Sequence, residues 1–229
     1  MSRATWTGER ERMTLVRIPG VYRPQHDTWL LIQALSQSGI PPGGRALDIG
    51  TGTGALAVAA ARYGARSVTA VDISRRAVVT TRVNCRLHGV PVRAVRGDFE
   101  ARLTGERFDL VLANPPYVPA PRTASGRGTA RSWHAGDRGR AVLDRLCAML
   151  PHLLAPGGSA LIVHSGLCDP DTTLAQLRDG ALEATVVTRA PVPFGPVMRE
   201  LAPWLVTAGL IEPGQNREDL VVIRADKPV

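Results

Sequence analysis

Short apolar runs alternate along this chain with amphipathic stretches, and glycine or proline breaks separate them. Residues 21–35 (VYRPQHDTWLLIQAL) predict a helix capped by Asp27 or Thr28, with Trp29, Leu30, Leu31, Ile32 and Leu35 on a broad buried face. After the GIPPGG break at 39–44, Arg45–Ile49 reads as a strand and Ala55–Tyr63 as an alanine-rich helix stopped by Gly64. SVTAVDIS supplies a second strand ending in Asp72, then a helix over Ser74–His88 capped by Ser74 and closed by Gly89. Pro91–Gly97 and Phe108–Ala113 are the third and fourth strands. A helix over Ala141–Leu154 leads to a strand at Ser159–Ser165, and a helix over Asp169–Arg178 to a strand at Ala184–Ala190. An Arg199–Ala208 helix, broken by Pro203, precedes a last strand at Leu220–Ala225. This alternation predicts an α/β fold: a doubly wound, mostly parallel sheet of seven strands.

In such sheets ligands bind at the carboxyl ends of the strands, so the residues there carry the chemistry. Gly50, Gly52 and Gly54 follow the first strand, where they let the backbone turn tightly and approach a ligand. Asp72 ends the second strand, placed to accept both hydroxyls of a ribose. The looser dinucleotide pattern Gly50-x-Gly52-x-x-Ala55 also admits a nicotinamide cofactor. Asp48 argues otherwise, because its charge just before the loop disfavours a pyrophosphate and favours a ligand carrying an amino group and a sulfonium. Asp98 can accept from an adenine amino group while Phe99 supplies a backbone N–H and an apolar wall; an Asx-type turn accounts for Asp98 equally well. Thr28 can reach the same cofactor from a lid formed by residues 22–28, although a purely structural helix explains that segment too.

The fourth strand runs without a linker into Asn114-Pro115-Pro116-Tyr117. Two adjacent prolines fix two φ angles and remove two N–H donors, leaving a stiff turn rich in acceptors. Asn114 Oδ1 and the backbone carbonyls can hold a substrate NH2, and Tyr117 can lie against a planar group. Taken alone, the same four residues also make an ordinary Asn-Pro turn.

LDIGTGTG, VDIS, GDF and NPPY, in that order and spacing, resemble a class I S-adenosylmethionine-dependent methyltransferase of the amino-methylating kind. VYRPQHDTWLLIQAL and WHAGDRGRAVLDRL are similar to the protein-(glutamine N5) methyltransferases of peptide-chain release factors, in the compact branch typical of eukaryotes and archaea. The likeness covers residues 21–165 and implies a Rossmann-like sheet with its last strand antiparallel. It implies S-adenosyl-L-methionine as cofactor, held by Thr28, Asp48, Gly50, Gly52, Gly54, Asp72, Ile73, Asp98, Phe99 and Asn114. It implies a catalytic set of Asn114, Pro115, Pro116 and Tyr117 and a release factor as substrate, and it allows a small activating partner subunit. His134 and Asp137 depart from the family, which usually has a second glycine and fewer bulky residues there. The rival readings are an N6-adenine methyltransferase on DNA or RNA, an enzyme acting on another protein side chain or a small metabolite, and a non-catalytic cofactor-binding scaffold.

Composition changes this picture little. A net charge of +8, almost all from arginine, permits nucleic acid, but the basic residues are spread along the chain rather than clustered. Residues 1–20 read as a flexible lead-in, 21–229 as one domain, and the Arg-rich stretch 118–140 as a substrate-side loop in which Arg122, Arg127, Arg131, Arg138 and Arg140 can steer a negative partner. Cys85, Cys147 and Cys168 are widely spaced and odd in number, so they are expected as reduced thiols in a cytoplasmic protein, with no metal. No apolar run is long enough to span a bilayer, and no membrane association is expected.

Overall fold

A computed structural model describes residues 13–121 and 135–229. Its core is a seven-stranded sheet in the order β3-β2-β1-β4-β5-β7-β6. The parallel strands are β1 (Arg45–Ile49), β2 (Ser67–Asp72), β3 (Val92–Arg96), β4 (Phe108–Ala113) and β5 (Leu154–Ser165). β7 (Arg217–Asp226) inserts antiparallel between β5 and β6 (Glu183–Pro193). The start of β7 therefore reaches the edge where the parallel strands end, and this brings its first residues to the site.

The central strands are buried on both faces, as their unbroken apolar runs require. One face carries α1 (His26–Gln37), α2 (Ala55–Arg62) and α3 (Arg75–Leu87), with Leu31, Leu35, Ala57 and Val58 packed against Leu112, Val163 and Val222. The other carries the one-turn α4 (Phe99–Arg102), α5 (Ala141–Leu153) and α6 (Pro170–Asp179), with Leu146 and Leu150 against Val111 and Ile162. A third, smaller cluster joins α7 (Pro196–Thr207) to Val118 through Phe194, Met198 and Leu205.

Several local expectations change. Asp27 does not cap α1: Gln25 holds that position without a side-chain bond, and Asp27 is buried in the first turn. α7 runs through Pro203 instead of breaking there, because its apolar face is held by the Val118 cluster. Pro151 likewise lies inside α5, near the helix end, where Lys227 Nζ donates to the Pro151 and Leu154 carbonyls at 2.7 and 3.1 Å. In the stretch expected as a lead-in, residues 13–20 are tied to α3: the buried Asn84 accepts from Val16 N and donates to Val16 O. All three cysteines are buried and free. Among the described residues, no helix is long and apolar enough to cross a membrane.

Candidate active site

The carboxyl edge of the sheet opens into a cleft of about 740 Å³, within the range of small-molecule sites. Its walls come from both halves of the strand order. β1 to β3 contribute Gly50, Gly52, Asp72, Ile73, Asp98 and Phe99; β4, β6 and β7 contribute Asn114 to Val118, Val192, Pro193 and Glu218.

The first half is organised by the glycine turn. Gly50 and Gly52 have φ of +70° and +54°, conformations that favour glycine. Gly52 N donates to Asp72 Oδ2 at 3.0 Å, so the acid at the end of β2 sits directly on the turn, and Ser74 N donates to Asp72 Oδ1 at 2.8 Å. Burial, the largest influence, raises the Asp72 pKa against these two bonds. Gly54 stands behind the cleft: a Cβ there would come within 3.0 Å of Thr81, so its part is to let α2 approach α3.

Asp48 also lies behind the wall. It is fully buried; Oδ2 accepts from Thr51 Oγ1 at 2.6 Å and Ala57 N at 3.0 Å, while Oδ1 has no partner among the described residues. The carboxylate expected to face a cationic ligand instead ties β1 to the start of α2. Burial, with a smaller push from Asp72, raises its pKa from 3.8 to about 7. The folded protein therefore holds this proton to higher pH than the unfolded chain, and folding takes up a proton between about pH 4 and pH 7. Stability should fall as pH rises through that window and level off above it, with Asp48 accounting for about 4 kcal/mol at most. Glu218, raised from 4.5 to about 7, acts with the same sign. Urea unfolding across this range should show the decline, and Asp48→Asn should flatten it; parallel curves for the two proteins would contradict the assignment.

Asp98 serves two partners. Its Oδ1 accepts from Glu100 N at 3.0 Å, making the N-cap of α4. The Arg145 guanidinium reaches both Asp98 oxygens at 2.8 Å, bonds Glu100, and stacks 5.0 Å from the Phe99 ring centroid. Arg145, on α5, was not singled out in the sequence. It covers this end of the cleft.

The second half is built around Asp27. Tyr22 and Tyr117 hydroxyls donate to its Oδ2 at 2.6 and 3.0 Å, and Thr28 N and Oγ1 donate to its Oδ1 at 2.6 and 3.2 Å. The Thr28 hydroxyl has one proton and gives it to Asp27, so toward Asn114 it can only accept; Asn114 Nδ2 donates to it at 3.3 Å. This chain fixes the amide orientation of Asn114 and leaves Oδ1 unbonded among the described residues at the cleft wall. Thr28 itself is buried behind that wall. The Tyr117 ring touches all three apolar clusters, and burial, then Asp27, keeps its hydroxyl protonated far above the usual range. Tyr117, expected to lie against a planar group, is a fixed part of the wall, anchored at its hydroxyl.

The backbone after Asn114-Pro-Pro-Tyr is held as well. Ala135 N donates to Val118 O and Ala120 N to Gly136 O, so the two ends of the 118–140 stretch pair with each other. A Cβ on Gly139 would collide with the Tyr117 carbonyl. Arg140, expected to steer partners, is buried and binds the Asp169 carbonyl, Thr173 and Gln176. Arg122, Arg127, Arg131 and His134 lie outside the described residues.

Four carboxyl groups (Asp27, Asp72, Asp98 and Glu218) line the cleft of a protein whose net charge is +8. That excess of acid suits a cationic ligand with a ribose and opposes a pyrophosphate, so these residues fit S-adenosylmethionine.

Comparisons with known proteins agree. The family description "Methyltransferase small domain" matches residues 12–127. A Methanocaldococcus jannaschii protein named as a protein N5-glutamine methyltransferase is 32% identical over 83% of this chain and 95% of its own length. A release factor glutamine methyltransferase from Deinococcus radiodurans is 36% identical over 79% of this chain and 67% of its own. Among solved structures, the Mtq2–Trm112 complex of E. cuniculi, described as responsible for methylation of the termination factor eRF1, superposes with a TM-score of 0.62. It is 23% identical, covering 91% of this chain and 99% of that one, and so speaks to the fold. With its glycine turn, its paired Asp72 and the matches on both sides of them, this chain belongs to the class I methyltransferases, in the branch of the protein-glutamine methyltransferases.

Proposed function

We propose that the protein methylates the side-chain amide nitrogen of a glutamine in a Gly-Gly-Gln segment of a peptide-chain release factor. The observation that carries this reading is the Asp27–Thr28–Asn114 chain, which leaves one amide oxygen poised at the cleft with its orientation fixed. Relatives named for glutamine and release-factor methylation support the acceptor.

When bound, S-adenosylmethionine supplies a methyl group on a positively charged sulfur. Gly50 and Gly52 would admit it against the backbone, Asp72 would take the ribose hydroxyls, and Ile73, Asp98 and Phe99 would border the adenine. An amide nitrogen is a poor nucleophile because its lone pair is delocalised into the carbonyl. Asn114 Oδ1 and the Pro115 carbonyl accept from the substrate NH2, aim the nitrogen, and favour positive charge as it develops there. Pro115 and Pro116 keep those acceptors from drifting, and the anchored Tyr117 ring sets the plane of the amide. One N–H proton must leave as the methyl arrives; positive charge on the nitrogen makes it strongly acidic, so it passes to solvent and no strong base is needed.

A small partner subunit fits the surface beyond the cofactor half. Val79, Val83 and Leu87 repeat along α3 at 40%, 41% and 64% exposure, beside the open edge strand β3. An adenine acceptor in nucleic acid is less favoured, because the cleft walls carry acids where phosphates would need cations.

The test is incubation with labelled cofactor and one of three acceptors: a release factor carrying Gly-Gly-Gln, its Gln-to-Ala variant, or oligonucleotides. Label should enter the first alone. Label in the Ala variant or in the oligonucleotides would overturn the glutamine assignment.

A further inference from the structure

Among the described residues, Glu218 is the acid of the cleft that the glycine turn, the Asp27 network and Arg145 all leave aside. It pairs with Val192 at the start of β7, and antiparallel insertion of that strand carries it to the ligand edge. In strand order it lies two strands beyond Asn114, on the side away from Asp72, which at ~4.8 Å per strand is about 10 Å from β4. It is 7% exposed, it lines the cleft, and its Oε2 has no hydrogen-bond partner among the described residues. Leaving a buried carboxylate oxygen unpaired is costly, and the cost is recovered only when a donor arrives.

The surroundings say what kind of donor. Pro115, Pro116, Pro193 and Pro196 stand in the same walls and contribute carbonyls but no N–H groups. Val118 and Met198 between them are apolar. Around Glu218 these prolines add carbonyl acceptors that complement the N–H groups of an extended peptide backbone, while Gln25, His26 and the first amides of α7 are the donors of this half and can meet the peptide carbonyls. Two glycines before the acceptor residue would let main-chain N–H groups approach a recessed carboxylate with no side chain in the way.

We infer that Glu218 binds a main-chain N–H of the acceptor peptide next to the methylated residue, and so acts as a substrate-positioning residue. The inference rests on the glutamine reading above. It gives Glu218 a direct contact with the acceptor and, two strands from Asn114 on the side away from Asp72, only a small share in the acidity that favours the cofactor.

The experiment is steady-state kinetics on the release factor with wild-type protein, Glu218→Gln and Glu218→Leu, alongside cofactor affinity by calorimetry and thermal melting. Glu218→Leu should raise KM for the release factor by tenfold or more, with kcat and cofactor Kd within about threefold. Glu218→Gln keeps an oxygen acceptor and should raise KM less. Glu218→Gln, which removes the buried charge and keeps an oxygen for the bond with Ser165, should melt no lower than wild type; a carboxylate held only for structure would lower the melting temperature in this variant. Equal KM in all three proteins would overturn the inference, as would equal losses in Gln and Leu variants, which would indicate a cationic side chain as the ligand. If wild type fails to methylate the release factor at all, the glutamine reading falls first and takes this inference with it.

Discussion

Asn114→Ala is expected to lower methyl transfer to the glutamine acceptor by at least 10²- to 10³-fold, the usual loss when a preorganised polar contact to developing charge is removed. S-adenosylmethionine affinity should stay within about tenfold. The reason is geometric. Asn114 spends its NH2 on Thr28, behind the cleft, and its oxygen is left at the cleft wall, where the proposed acceptor would bind. The cofactor half is assembled independently, by the bonds from Gly52 and Ser74 to Asp72. Truncating Asn114 therefore removes aim at the nitrogen without dismantling the seat of the methyl donor, and the loss should appear in kcat. Single-turnover rates and calorimetry on the same preparation separate the two quantities. Proportionate loss of both would refute the assignment.

Asp27→Ala should have the second-largest effect, although Asp27 is not proposed to touch the substrate. It accepts from two tyrosine hydroxyls and from both donors of Thr28. Without it the Thr28 proton is free to turn toward Asn114, the amide of Asn114 can flip, and an NH2 would then face the substrate NH2. Tyr117 would lose its anchor at the same moment. A fall in kcat of about 10²-fold is expected, with a stability loss of about 2–4 kcal/mol from the buried hydrogen bonds lost at Asp27. The control is Thr28→Val, which removes the middle link while leaving both tyrosines bound. It should reproduce most of the kcat loss with a smaller stability loss. The double variant Asp27→Ala/Thr28→Val should be no slower than Asp27→Ala alone, because both act through one chain. Additive rate losses would mean that Asp27 acts by another route.

These contrasts also show which parts of the molecule could be read from local sequence. The strand–helix alternation was legible because each element declares itself within a dozen residues. So was the gathering of the glycine turn, Asp72 and Asn114-Pro-Pro-Tyr around one cleft, which follows from their place at strand ends. Asp27 was misread as a cap: an acid at a helix start satisfies that pattern, while its bond to Tyr117 spans 90 positions of chain. Asp48 sits where a ligand-facing acid belongs, but the Ala57 amide and Thr51 hydroxyl draw it inward. Glu218 carries no motif, and it reaches the cleft only because β7 runs against its neighbours. Arg145 depends in the same way on how α5 packs beside Asp98.

The most direct test is a structure of the protein with S-adenosylhomocysteine and a Gly-Gly-Gln peptide, with the glutamine side chain located. The account predicts the amide nitrogen within about 3.2 Å of Asn114 Oδ1, with Asn114 Nδ2 still on Thr28 and Tyr117 still on Asp27. A glutamine held elsewhere in the cleft, or an Asn114 whose oxygen has turned to Thr28, would contradict it.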